Sequence, residues 1–74
     1  MVTIKVVDKS SGKPVEGKKV FIIFDGLFRG STDYQYTDSI GEVYFNNDPG
    51  NGKVSVGHST VYRGDIRGRV VVYI

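Results

Sequence analysis

The sequence predicts a small all-β domain, an antiparallel Greek-key β-sandwich of about seven strands with no significant helix. Three observations carry this expectation. Short β-branched and aromatic runs recur along the chain, and Gly, Asn, Asp and Ser clusters separate them at roughly 8 to 12 residue intervals. No stretch shows apolar residues at helical spacing with caps. Ten glycines against two prolines supply tight turns without blocking strand ladders.

The first strand is Val2–Val7, where Val2, Ile4 and Val6 share one face and Thr3 and Lys5 the other. It stops in the segment from Asp8 to Gly17, where Ser10-Ser11-Gly12 turns the chain and Pro14 lacks a ladder donor. A second strand runs from Lys18 to about Asp25, and its centre, Phe21 to Phe24, is apolar on both faces, as in a strand flanked on both sides. Residues 26–33 read as a loop carrying Leu27, Phe28 and Arg29, an unusual composition for a free loop. Tyr34 to Thr37 form a short third strand with Tyr34 and Tyr36 on one face.

Asp38-Ser39-Ile40-Gly41 suits a type I turn, with Asp first and Gly fourth. The fourth strand is Glu42 to Phe45, six turn-formers occupy 47–52, and the fifth strand is Lys53 to His58. A sixth strand centres on Thr60 to Tyr62, Arg63-Gly64-Asp65 reads as a turn, and the last strand runs from Ile66 to Ile74. An OB-like or SH3-like barrel is the alternative architecture, though each usually includes a helical turn that this sequence does not display.

Seventy-four residues make one domain, 1–74, and leave little apolar material beyond the core. The chain has no cysteine, which excludes disulfides and thiolate metal sites. No apolar run exceeds five residues, as in Val20 to Phe24, so neither a membrane-spanning helix nor a signal peptide is expected. Net charge is +2, too small to demand a polyanionic partner.

Three stretches, Val6 to Ile22, Tyr36 to Phe45 and Pro49 to Gly57, together resemble the transthyretin-like or carboxypeptidase-regulatory-like β-sandwich domains. The matching residues are Gly12, Pro14, Val15, Gly17, Val20, Thr37, Asp38, Gly41, Val43, Phe45 and Gly52. The resemblance implies a prealbumin-like fold and a non-catalytic accessory, spacer or adhesion unit, usually in an extracytoplasmic protein. It implies no reaction. Related adhesin stalk domains join a first-strand Lys to a last-strand Asn or Asp with the help of a buried acid. Lys5 and Glu42 fit the first and third roles, but residues 66–74 contain no Asn or Asp, so no cross-link is expected.

Catalytic chemistry finds little support. His58 is the only histidine, and neighbouring Ser59 falls on the opposite strand face, so a strand-end residue explains His58 better than a triad. Glu16 and Glu42 adjoin turn glycines and read as solvated positions. Asn46, Asp48 and Asn51, with Asp38, supply oxygen atoms but lack the spacing of a calcium loop, so no metal and no cofactor is expected. Arg63-Gly64-Asp65 matches a tripeptide that integrins read, yet serves equally as a turn.

Two binding surfaces remain. Tyr34, Tyr36 and Tyr44, together with Leu27, Phe28 and Arg29, form a candidate contact for a protein or carbohydrate partner. Arg63, Arg67 and Arg69 form the alternative, a nucleic-acid contact, although Asp65 lies among them. Edge strands also allow homodimerisation by strand pairing.

Overall fold

A computed structural model describes every residue from Met1 to Ile74 except Phe28. The described residues form eight strands and no helix: β1 (Val2–Val7), β2 (Lys19–Phe24), β3 (Gly30–Ser31), β4 (Gln35–Tyr36), β5 (Glu42–Phe45), β6 (Gly50–Val56), β7 (Ser59–Ile66) and β8 (Arg69–Tyr73). They make two sheets. One has the order β5-β1-β8; the other runs β3-β2-β6-β7, with β4 also paired to β2. No ladder among the described residues joins the two sheets.

The alternation read in the sequence builds the core. Val2, Ile4 and Val6 of β1, Val43 and Phe45 of β5, and Val70 and Val72 of β8 face Val20, Ile22, Phe24, Val54, Val56 and Ile66 across the space between the sheets. All are buried, and Val15, Val61 and Tyr62 close the margins.

Four expectations need correction. The ladder between β1 and β8 is parallel, pairing Thr3 with Arg69 and Val7 with Tyr73, so the domain is not wholly antiparallel. The strand β6 begins at Gly50, inside the supposed turn cluster. A Cβ on Gly52 would lie 2.3 Å from the Ile23 carbonyl oxygen, so this glycine permits close strand approach rather than a turn. Arg63-Gly64-Asp65 lies within β7, paired with Lys53, Gly52 and Asn51, and is not a turn tip. The reversal falls instead at Arg67-Gly68, where Gly68 takes φ +60°. Finally, β3 emerges from the supposed 26–33 loop, bringing the described strands to eight rather than seven.

The segments that carry the family resemblance interlock. Val6 N–H donates to Gly41 O at 2.8 Å, and Val15 N–H to Val6 O at 3.0 Å. Buried Thr37 donates its hydroxyl to Val15 O at 2.7 Å and accepts Lys18 N–H at 2.9 Å. Gly41, at φ +77°, lies so close to this junction that a Cβ would stand 2.7 Å from Val6 O. Asp38 stabilises the adjoining turn, its carboxylate accepting Ile40 N–H at 3.1 Å and Glu42 N–H at 2.9 Å.

Candidate functional site

Cross-strand register positions the tyrosines. On β4, Tyr36 pairs with Lys19 and Gln35 with Val20, so Tyr36 projects from the sheet surface beside β2. Tyr34 precedes β4 on the same side. The two rings meet edge to face, with centroids 5.9 Å apart and planes at 84°. Lys19 Nζ sits 4.2 Å from the Tyr34 ring centroid, a cation–π contact that fixes that ring from behind. Tyr34 is 55% exposed and Tyr36 60%, so the pair is open to solvent while held in one geometry.

The opposite parity of β4 anchors it. Gln35 Nε2 donates to Tyr44 O at 2.7 Å, stitching one sheet to the other. Thr37 N–H donates to Lys18 O and Gly17 N–H to Thr37 O, which extends the pairing past the two-residue strand.

Tyr44 belongs elsewhere. Its strand, β5, lies in the other sheet, and no ring contact among the described residues joins it to Tyr34 or Tyr36. Its hydroxyl donates to Glu42 Oε1 at 2.7 Å, while Arg69 Nε and Nη2 donate to Glu42 Oε2 at 3.2 and 3.1 Å. The Tyr44 hydrogen bond, then Arg69, holds the Glu42 carboxyl below its usual range, and the same bond raises the Tyr44 phenol.

The 26–33 segment divides. Leu27 is 94% exposed, whereas Arg29 is committed to the fold. The Arg29 guanidinium stacks 3.9 Å from the Phe24 ring centroid and donates to Pro49 O at 2.9 Å and to Asp48 O. These bonds hold the segment leading into β6, while Arg29 itself stays exposed. Phe28 lies outside the described residues.

No family model, curated protein or solved structure matches the chain.

The C-terminal arginines are divided between β7, β8 and the connection between them. Arg69 is bound to Glu42 in the β5-β1-β8 sheet, and Arg67 pairs with Asp65 at 3.0 Å in the connection from β7. Asp65 thereby raises the Arg67 guanidinium further. Arg63 stands on β7 in the other sheet, with no ion pair among the described residues. His58 occupies the Gly57-His58 turn between β6 and β7 rather than a strand end. Lys5 faces Glu42 on one side and Val71 on the other, half-buried on the outward face of its sheet. No helix among the described residues is long and apolar enough to cross a membrane.

Sequence reasoning missed Lys19. Its role depends on the β2–β4 register, and no local motif signals which tyrosine a lysine fifteen positions away will underlie.

Proposed function

We propose that the chain is a non-catalytic binding or structural module, a sandwich of transthyretin-like or carboxypeptidase-regulatory-like type, that contacts a protein or carbohydrate partner through Tyr34 and Tyr36. The observation that carries this reading is the exposed, orthogonal tyrosine pair braced by Lys19. An aromatic pair with little rotamer freedom loses little entropy on binding, and its faces suit the C–H face of a sugar or an apolar side chain. Both hydroxyls stay available to water or to the ligand. The interlock of Val15, Thr37 and Gly41 supports the architectural half, because it joins two of the stretches that carry the resemblance.

A glycan array followed by titration of the best oligosaccharide tests the site. Tyr34→Ala and Tyr36→Ala are each expected to weaken binding at least about tenfold, the loss of about 1.4 kcal/mol. Unchanged binding in both variants clears the pair of this role. If no glycan binds, the carbohydrate branch falls and a protein partner is the remaining ligand class.

A further inference from the structure

Four sheet edges are available for pairing with another chain, and three are blunted. β3 and β4 are two residues long. On β5, the outward Glu42 N–H donates to Asp38 Oδ1, Glu42 O accepts from Asp38 N–H, and Tyr44 O accepts from Gln35. On β7, Val61 is bulged out of the pairing just before Tyr62, Gly64 takes φ +139°, and the Tyr62 hydroxyl donates to Asp65 O at 2.8 Å. Arg63 and Asp65 add charge there.

The fourth edge, β8, carries one charge, Arg69, and none of the other devices. Its phase follows from the bonds at its ends: Thr3 N–H donates to Gly68 O, Ile74 N–H to Val7 O, and Lys9 N–H to Ile74 O. Even-numbered residues from Gly68 to Ile74 therefore turn their backbone groups toward β1. Arg69, Val71 and Tyr73 turn theirs outward, where no hydrogen bond among the described residues takes them up. The sequence there, Arg69-Val70-Val71-Val72-Tyr73, has high strand propensity and neither proline nor glycine.

We propose that β8 is a self-pairing edge, joining antiparallel to β8 of a second copy about a two-fold axis at Val71. This register sets Val71 opposite Val71 of the other copy and Arg69 opposite its Tyr73. Every outward group is then used, since three hydrogen-bonded pairs exchange six bonds. A shift by two residues in either direction leaves a pair unmade or reaches past Gly68. Side-chain chemistry favours the same register. The two Arg69 side chains sit at opposite ends of the ladder, each facing a tyrosine ring, so no like charges are opposed. Val70 and Val72 remain in their own core. A two-fold axis makes the contact closed, giving a dimer and not a fibre. The product is one six-stranded sheet, β5-β1-β8 continued by its copy. This pairing leaves the tyrosine pair on the other sheet and does not depend on it.

A contact made by one five-residue strand is far below the roughly 1,000 Å² of a stable interface, so the dimer is weak and forms toward millimolar concentration. Sedimentation velocity from about 10 μM to about 1 mM should show the mass rising from 8.2 kDa toward twice that value. Val71→Glu gains Lys5 as an attractive neighbour within the protomer but opposes two carboxylates across the axis, so it should stay monomeric throughout. Amide exchange on the unaltered chain provides a readout independent of any variant. The Arg69, Val71 and Tyr73 amides should slow by about twofold or more between the two concentrations, with Val70, Val72 and Ile74 slow at both. A mass fixed at 8.2 kDa overturns the proposal. So does a dimer that persists unchanged in Val71→Glu, or one that protects β7 amides instead.

Discussion

Thr37→Val is the most informative single substitution in the fold, because it removes one oxygen atom and little else. Thr37 is 4% exposed, and its hydroxyl bridges Val15 O at 2.7 Å to Lys18 N–H at 2.9 Å, tying the turn after β1 to the strand that carries the tyrosines. Each bond contributes roughly 0.5–1.5 kcal/mol net, and the methyl that replaces the hydroxyl returns up to about 0.8 kcal/mol through burial. The expected loss is therefore about 1–2 kcal/mol, against a total of roughly 4–11 kcal/mol for a domain of this length. Urea denaturation should show a lower midpoint at unchanged slope, and Tm should fall by roughly 4 to 16 °C. Amide exchange at Lys18 should accelerate, whereas Thr37→Ser, which keeps the hydroxyl, should retain its protection. A Thr37→Val protein within about 0.5 kcal/mol of the unaltered chain, with Lys18 still protected, would refute the assignment of this bridge.

Gly52→Ala should cost about 1–3 kcal/mol or more, because its new carbon would lie 2.3 Å from Ile23 O and the two strands must part. Gly12→Ala, at φ +73° with open space around it, should cost only about 1–2 kcal/mol of backbone strain; a larger loss there than at Gly52 contradicts this ranking. Arg29→Lys should lower stability by about 1 kcal/mol and shift the Gly50 amide resonance, since an ammonium cannot stack on Phe24 while reaching two carbonyls. An unshifted Gly50 resonance would place the guanidinium elsewhere. Glu42 titrates below its usual 4.5 in the folded chain, so its stabilising contribution is complete above that value and is lost as pH falls through the lower folded value. Glu42→Gln should flatten that acid limb of stability, and an unaltered limb would show that the Tyr44 and Arg69 bonds do not act through the carboxylate.

The strands whose faces differ in polarity are the ones the sequence discloses. Val2–Val7 and Glu42–Phe45 are found where alternation places them, and the Asp38 to Gly41 turn closes with Gly41 N–H bonded to Asp38 O. Errors fall where glycine has two meanings. Gly50, Gly52 and Gly64 read as turn-formers, yet they sit within β6 and β7: at Gly52 the Ile23 backbone passes too close for a Cβ, and Gly64 takes φ +139°. Local chemistry cannot separate these uses, since the deciding atom belongs to a residue distant in sequence. The same limit governs the site. Parity places Tyr34 and Tyr36 together, but that Tyr44 lies in the other sheet follows only from the change of sheet between β4 and β5. The stacked position of Arg29 was likewise invisible without Phe24 beside it.

The parallel pairing of β1 with β8 also determines how the domain answers a mechanical load. Val2 and Tyr73 lie at opposite ends of two strands that run side by side in the same direction. Tension that draws those residues apart slides the strands along each other, so the bonds from Thr3 to Lys9 are strained together rather than opened one at a time. Tension on β5, an edge whose one ladder is to β1, would instead peel that ladder's bonds in sequence. Resistance to pulling should therefore be anisotropic, high along the axis from Val2 to Tyr73 and low across it.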